Sequence, residues 1–343
     1  MNHRSFRLAA VLAASSLVAG AASAGATSTA DSVRIAGPDR YATAAGVAVT
    51  AFEGVNVAIV ATGQGYADAL AANYLAGALG SPILLTPRAS MDPGLPDALT
   101  ELGSDGVILV GGDGAVSDSV AAEIEGAGFE VTRIAGATRY ATARALAERL
   151  PGEAVGRFEE FGPTAIIVNG DSFADALSAG PMSFAQGWPV LLTTADRLQG
   201  DAGAAIESLG ITHAIIVGGT SAVSDGVVAD LTTLGVSSQR ISGTDRTITS
   251  QAVANFMFDS LGYGADDIIL ARGDTYPDAL AAGPRGGQEL MPLLLTPDPN
   301  NLGSAAAAFI QAHTDVLERI EVFGGTSAIS TGVEDFAVAM ARG

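Results

Sequence analysis

Cysteine and lysine are both absent from the 343 residues of this chain. Without cysteine there is no disulfide bond, thiolate nucleophile, thiolate metal site or lipidated cysteine. Without lysine there is no P-loop for a nucleotide. Histidine is scarce. His3 lies within the first 24 residues, which are predicted below to be a signal peptide. His213 and His313 each precede a predicted strand, whereas ligand sites are expected at the opposite, carboxyl ends of the strands. We therefore do not expect a Ser-His-Asp catalytic arrangement.

Positive charge is also scarce. Seventeen arginines stand against 37 acidic residues, which gives a formal net charge of −20. Such a balance argues against nucleic acid as a partner and produces a general repulsion of anionic polymers. Any anion must therefore be bound by arginines that the fold brings together locally.

Hydrophobic runs long enough to span a bilayer are absent. At the N-terminus, Arg4 and Arg7 precede an apolar run from Leu8 to Val18 and then Ala22-Ser23-Ala24. This pattern predicts a cleavable secretory signal over residues 1–24, followed by a linker over 25–30. The run is too short for a transmembrane anchor. No sorting tail is visible, so we expect an exported protein whose attachment to a surface is non-covalent.

One sequence unit occurs three times. Its centre is an apolar strand, a Gly/Asp turn, a small-residue helix and a second strand, at residues 57–87, 165–194 and 268–297. An arginine-rich segment precedes each centre, and a strand with a Gly-Gly turn follows it. The period of roughly 100 residues exceeds that of solenoid repeats. We predict repeats over 31–130, 131–237 and 238–343.

The order of elements within each unit indicates the fold class. Each unit is predicted as βαβαβαβα; in the first, strands at 33–37, 57–62, 82–86 and 107–110 alternate with helices at 40–51, 66–79, 93–102 and 117–127. Apolar strands separated by helices indicate parallel sheets covered on both faces. The prediction is an α/β protein of three tandem (βα)4-type domains. Its ligand sites should lie beyond the carboxyl ends of the strands.

An aspartate recurs at the centre of each unit, as Asp68, Asp175 and Asp278. These side chains could bind a cation or a polar sugar group. Alternatively, the spacings Ser172-x-x-Asp175 and Thr275-x-x-Asp278 match a capping box, in which the acid bonds back to the helix cap. We favour the capping role.

Aromatic side chains recur two residues before the aspartates, as Tyr66, Phe173 and Tyr276. They could stack on a sugar ring or pack beneath the helix start, and we favour packing. Tyr41 and Tyr140 follow the second arginine of the first two repeats, where the third has Thr247.

Six arginines form three pairs, each with one member before and one after a glycine turn: Arg34 and Arg40, Arg133 and Arg139, Arg240 and Arg246. A planar guanidinium suits carboxylates and phosphates. The arginines could bind an anion or form ion pairs with the motif aspartates. The Gly-Gly turns could cradle an anion or simply allow a tight turn, and Ser117, Ser224 and Ser330 are the expected caps of the helices after them.

Three motifs recur in order along the chain: R-I-A-G-x-x-R-Y-x-T-A, then A-D-A-L with P-[IV]-L-L-T, then V-G-G-x-x-[AS]-V-S-D. This series of motifs resembles the cell wall-binding type 2 repeat family. The resemblance covers residues 31–343. It implies three α/β domains around a pseudo-threefold axis, found in surface proteins of Gram-positive bacteria, with an anionic secondary wall polymer in arginine-bearing grooves. The third repeat departs from the pattern at Thr247 and at Arg285-Gly286-Gly287, so we expect its groove to differ.

The function predicted on this basis is that of a secreted, non-enzymatic protein associated with the cell wall. Its expected partner is an anionic wall polysaccharide, with other surface proteins as further candidates. No cofactor is expected, although a divalent cation could bridge acidic groups. The alternatives are an exported solute-binding protein and a carboxylate-dependent wall hydrolase. The predicted polymer-binding residues are Arg34, Arg40, Tyr41, Tyr66, Asp68, Arg133, Arg139, Tyr140, Phe173, Asp175, Arg240, Arg246, Tyr276 and Asp278.

Overall fold

The structure, a computed structural model, describes residues 29–343, and the predicted signal peptide lies outside them. Strands and helices alternate throughout this part of the chain. The first section comprises β1 (Asp31–Ile35), α1 (Arg40–Ala51), β2 (Val57–Thr62), α2 (Ala67–Leu79), β3 (Ile83–Thr86), α3 (Leu95–Glu101), β4 (Gly106–Val110) and α4 (Asp118–Gly126). These bounds lie close to the predicted ones.

The second section differs from the first by a short insertion between its first helix and its central strand. It comprises β5 (Glu130–Ile134), α5 (Arg139–Ala147), β6 (Arg157–Phe158), β7 (Gly162–Asn169), α6 (Gly180–Gln186), β8 (Val190–Thr193), α7 (Gly200–Leu209), β9 (His213–Val217) and α8 (Asp225–Thr233). The inserted β6 pairs antiparallel with the start of β7.

The third section ends in the helix that the sequence predicts. It comprises β10 (Ser237–Ile241), α9 (Arg246–Leu261), β11 (Asp267–Arg272), α10 (Pro277–Leu280), α11 (Ala282–Glu289), β12 (Leu293–Thr296), α12 (Ser304–Ala312), β13 (Arg319–Phe323) and α13 (Thr331–Ala341). Arg285-Gly286-Gly287 departs from the repeat pattern in sequence, but the segment is helical within α11, as the equivalent segments are within α2 and α6. No helix in residues 29–343 is both long and apolar enough to cross a membrane.

Each parallel sheet takes its last strand from the next repeat. The strand orders are β3-β2-β4-β5, β8-β7-β9-β10 and β12-β11-β13-β1, with the strands named in these orders all parallel. The first strand of the chain thus completes the sheet of the third repeat, and the three repeats close into a ring. The prediction that each repeat forms its own four-stranded sheet is therefore wrong, although the α/β class and the three parallel-sheet units are confirmed.

The Gly-Gly turns bind these shared strands. Gly111, Gly218 and Gly324 have φ of 101°, 121° and 99°, a region that favours glycine. Their N–H groups donate to Ile134, Ile241 and Ile35 of the next repeat's strand, at 2.9, 2.9 and 3.0 Å. Their carbonyl oxygens accept from the first arginine of that strand, namely Arg133, Arg240 and Arg34, at 2.7, 2.8 and 2.7 Å.

The middle helices α2, α6 and α11 pack against one another at the centre of the ring. Their equivalent positions combine one large side chain with two glycines: Asn73 faces Gly180 and Gly283, and Phe184 faces Gly77 and Gly287. A Cβ atom at Gly77 would lie 2.0 Å from the carbonyl oxygen of Phe184. The centre therefore has no room for three identical large residues.

Position 283 provides a direct test of this packing. A Cβ atom at Gly283 would lie 1.9 Å from Oδ1 of Asn73, which is buried. We expect Gly283→Ala to lower the free energy of unfolding by about 1–3 kcal/mol, the usual cost of overpacking. The double variant Asn73→Ala/Gly283→Ala should recover part of the loss. Urea unfolding measures both effects.

Gly332 is the matched control, because no atom lies within 4 Å of a Cβ atom at this helical position. Gly332→Ala should leave stability unchanged or raise it by up to about 1 kcal/mol. Equal stability of the Gly283→Ala variant and the wild type would contradict the central packing.

Candidate functional site

Grooves lie at the carboxyl ends of the strands, where the sequence predicts them. The first groove has a volume of about 450 Å³ and is formed by the turns after β2, β3, β4 and β5 together with the start of α5. The charged and aromatic side chains that line it are Tyr66, Asp68, Arg88 and Arg139. Because β5 and α5 belong to the second repeat, the groove lies between two repeats.

A corresponding third groove of about 220 Å³ combines the turns of the third repeat with the start of α1. It is lined by Asp39, Arg40, Arg272 and Asp278. The equivalent residues between the second and third repeats, which include Asp175 and Arg246, are referred to below as the second groove.

The motif aspartates lie against the Gly-Gly turns. A Cβ atom at Gly111, Gly218 or Gly324 would come within 2.4–3.0 Å of the carboxylate of Asp68, Asp175 or Asp278. The residues before α2, the turn at 176–179 and α10 form no side-chain cap hydrogen bond. The hydroxyl of Ser172 accepts from the N–H of Ala174 instead. The predicted capping box is therefore wrong.

Burial disfavours the charge on two of these carboxyls. It raises the pKa of Asp68, and the positive charge of Arg139 opposes the shift. Burial raises the pKa of Asp278 in the same way, opposed by Arg40 and by a hydrogen bond with Thr43. Carboxyls that neither cap a helix nor gain stability from being charged are candidates for ligand contact.

The second arginine of each pair stands at the boundary between neighbouring repeats. Arg40, Arg139 and Arg246 donate to the carbonyl oxygens of Gly63, Gly170 and Gly273 at 2.6, 2.5 and 2.9 Å. Their guanidinium carbons lie 6.0, 5.7 and 5.7 Å from the ring centres of Tyr276, Tyr66 and Phe173. Each arginine thus carries a cation–π contact to the preceding repeat, or for Arg40 to the last one, and lies at the edge of a groove.

The three recurrent aromatic rings form a triangle. Tyr66, Phe173 and Tyr276 lie 5.3–5.6 Å apart between ring centres and meet edge to face. The geometry agrees with the favoured packing role, while partial exposure in the first groove leaves Tyr66 available to a ligand.

The tyrosines after the second arginines pack on glycine. A Cβ atom at Gly63 or Gly170 would lie 2.5 or 2.8 Å from the ring of Tyr41 or Tyr140. The hydroxyl of Tyr140 also donates to Asp171 at 3.0 Å, and burial together with this bond raises the pKa of Tyr140 to about 12. These rings support the groove wall.

The first arginine of each pair is engaged in the sheet. Besides its glycine partner, Arg34 binds Glu334 at 2.6 Å, Arg133 binds Asp118 at 3.1 Å and Arg240 lies 3.6 Å from Asp225. None of these acids is a motif aspartate, so the alternative of arginine–aspartate pairs within the motif is wrong for this set. Arg34, Arg133 and Arg240 hold the borrowed strand.

Other predicted features have clear positions. Ser117, Ser224 and Ser330 cap α4, α8 and α13, as expected. His213 begins β9, at the sheet edge opposite the grooves, and its Nδ1 lies 2.8 Å from the hydroxyl of Ser237. His313 contacts the carbonyl oxygen of Phe309 at 2.8 Å.

Two charged residues, Arg88 and Arg285, have roles that were not predicted from the sequence. Arg88 lines the first groove, and its position directly after β3 was a signal that could have revealed it. Arg285 is 7% exposed and binds Glu321, which is 3% exposed, through two hydrogen bonds of 3.0 and 2.6 Å. This pair lies in the interior of the third repeat, where the other repeats have apolar residues.

Known proteins share this sequence pattern and this fold. The family described as Cell wall binding domain 2 (CWB2) matches residues 34–121, 133–228 and 240–334. The chain belongs to this family. The three matched segments each contain one arginine pair, one motif aspartate and one Gly-Gly turn.

Curated relatives of this CWB2 protein occur in Bacillus subtilis. The chain is 30% identical over 300 residues to N-acetylmuramoyl-L-alanine amidase LytC, covering 88% of this chain and 56% of the relative. It is 27% identical over 302 residues to Amidase enhancer, covering 88% of this chain and 39% of the relative. The chain thus spans about half the length of these relatives.

Two solved structures from Clostridium difficile share the fold. Cwp6 has a TM-score of 0.78 at 22% identity, over 92% of this chain and 48% of that one. Cwp8 has a TM-score of 0.77 at 22% identity, over 91% of this chain and 51% of that one.

Asp68 provides a pH-dependent test of the site. Its pKa in the folded protein is raised above 3.8, so the folded state binds the proton more tightly than the unfolded state. The cost of ionising it is absent below pH 3.8, grows as the pH rises through the raised pKa and is complete above it. We expect Asp68→Asn to be more stable than the wild type near pH 7, with the gain vanishing toward pH 3.8.

Thermal unfolding across this pH range measures the difference. The control is Asp105→Asn, an exposed residue at the opposite sheet edge, for which we expect little change. A loss of stability in Asp68→Asn near pH 7 would contradict the assignment of burial as the dominant effect on this carboxyl.

Proposed function

We propose that this protein is a secreted, non-enzymatic wall-binding protein that attaches non-covalently to an anionic secondary polymer of the cell wall through its grooves. The observation that carries the proposal is the position of Arg40, Arg139 and Arg246. Each is held at the edge of a groove by a glycine carbonyl and an aromatic ring. Arginines fixed in this way are preorganised to bind phosphate or carboxylate.

The relatives support a binding role. One is named an amidase and the other an amidase enhancer, and each matches this chain over only 56% or 39% of its length. A segment shared by two differently named proteins is best explained as a common attachment module. Carried over to this chain, that role is binding to the wall.

The hydrolase alternative is less well supported. It requires a pair of carboxyls, for which the sequence offers Asp171 with Asp175 and Asp274 with Asp278. The first acid of each pair is already engaged: Asp171 accepts from Tyr140, and Asp274 is paired with Arg272. The first repeat has Gln64 at this position. The solute-binding alternative requires a more enclosed site than these open grooves between repeats.

The proposal predicts that the full exported chain binds purified Gram-positive walls and loses this binding when the secondary polymer is selectively removed. The variant Arg40→Ala/Arg139→Ala/Arg246→Ala should bind at least about tenfold more weakly, because hydrogen bonds to charged groups contribute about 1.5–3 kcal/mol each. A co-sedimentation assay measures the dissociation constants. A parallel arm with chelator tests whether a divalent cation takes part.

Arg149→Ala is the control for lost charge, since Arg149 is exposed beyond the far end of α5. Circular dichroism checks that the triple variant keeps its fold. Binding that persists on walls stripped of the polymer would overturn the proposal.

A further inference from the structure

The three grooves are built from equivalent segments of the repeats but differ in charge. Six equivalent positions in each groove are compared for charge. Three lie at the end of the central strand and in the segment after it, and one follows the next strand. The other two are the cap and the first residue of the helix that the following repeat contributes. In the first groove all six residues contribute to the lining, and they are Thr62, Gln64, Asp68, Arg88, Thr138 and Arg139. The set contains two arginines and one aspartate.

In the second groove the equivalent residues contain one arginine and three aspartates. They are Asn169, Asp171, Asp175, Ala195, Asp245 and Arg246. Asp245 caps α9 and accepts from the N–H groups of Thr247 and Ile248.

In the third groove they contain two arginines and four aspartates: Arg272, Asp274, Asp278, Asp298, Asp39 and Arg40. The positive charge of Arg272 is balanced there by its ion pair with Asp274. Its hydrogen bonds to Asp274, and the nearby charges of Asp278 and Asp298, raise its pKa above the ordinary arginine value. Asp39 caps α1 and adds another negative charge at the rim.

Three sequence differences give the first groove a net positive charge over these six positions. One is Gln64, which stands where the other grooves have Asp171 and Asp274. Arg88 stands where the other grooves have Ala195 and Asp298, and the neutral cap Thr138 stands where they have Asp245 and Asp39. Thr138 still caps its helix by accepting from the N–H of Ala141. The loss of the negative charge therefore leaves the capping bond intact.

The arginines of the first groove keep donors available. Arg88 donates to the carbonyl oxygen of Asp113 at 3.3 Å and lies 3.9 Å from its carboxylate. Arg139 lies 3.8 Å from Asp171. Both acids are largely exposed, at 65% and 60% of their side chains, and neither lines the groove. Long, exposed ion pairs of this kind contribute little. Even with Asp113 counted, the first groove carries no net negative charge.

We infer that the first groove is the anion-binding subsite of this protein, with Arg88 and Arg139 binding a phosphate or carboxylate group of the polymer. The inference rests on the proposed function. The acidic rims of the second and third grooves then weaken anion binding at Arg246 and Arg40, so these grooves contribute less to attachment than the first. Thr138 and Gln64 contribute to the difference by keeping negative charge out of the first groove.

Thr138→Asp tests this assignment with a residue that the other grooves already contain. Aspartate is a good helix cap, so the fold should be kept. We expect Thr138→Asp and Arg88→Ala each to weaken binding to purified walls about tenfold, since a charge is added or removed beside the ligand. Asn56→Asp adds the same charge at the opposite sheet edge and should have no effect.

The outcomes separate the two proposals. If the wild type binds walls but Thr138→Asp and Arg88→Ala bind as well as it does, the assignment of the first groove is overturned and the proposed function stands. If the wild type does not bind, the proposed function is overturned, and this inference with it.

Competition identifies the anion. Release of the wild type from walls by a glycerol phosphate oligomer indicates phosphate, and release by a galacturonate oligomer indicates carboxylate. In a direct binding titration in solution, the Thr138→Asp variant should need a higher concentration of the same anionic oligomer than the Asn56→Asp control to reach the same fraction of bound protein. Equal release by a neutral glucose oligomer would overturn the anion assignment.

Discussion

The sharing of one strand between neighbouring repeats is the constraint on which the other features depend. A Gly-Gly turn receives the next strand through one backbone hydrogen bond and one arginine, as Gly111 does with Ile134 and Arg133. The second arginine follows six residues later in the chain, at the start of the helix. The strand that completes the sheet thus also places Arg139 beside Asp68. The first and third grooves lie where two repeats are joined, and β1 therefore has to return to the last sheet to form the third one.

The central packing shows that near-symmetry in this fold requires unequal residues. Side chains that point at a threefold axis approach one another, so three copies of a large residue would collide. The chain resolves this by placing Asn73 against two glycines and Phe184 against two others. The aromatic triangle can remain nearly uniform because rings that meet edge to face at 5.3–5.6 Å fit without overlap. Differences among the repeats at the centre of the ring therefore do not indicate that one repeat is degenerate.

Much of the fold and the location of the grooves could be predicted from sequence, because both depend on local patterns. Strand and helix bounds follow from runs of apolar residues, and parallel strands bring their following turns to one edge. The partner of β1 is almost 300 residues away in the chain, and no local pattern identifies it. The position of the Asp68 carboxylate likewise depends on a residue distant in the chain, Gly111, against which it lies. The spacing of a capping box is present whether the acid bonds back to the helix or turns toward a distant glycine, so spacing alone favoured the wrong interpretation.

A net charge of −20 does not prevent anion binding if the positive charge is local. At physiological ionic strength exposed charges are screened over about 8 Å, so acids on distant surfaces contribute little to the potential inside a groove. What matters is the set of charges that line it. The first groove differs from the other two by Arg88, by Gln64 in place of an aspartate, and by the identity of one helix cap. An acidic surface can then reduce nonspecific contact with the wall polymer, while one groove supplies the attraction. Specificity in such a protein arises from where negative charge is absent as much as from where arginine is present.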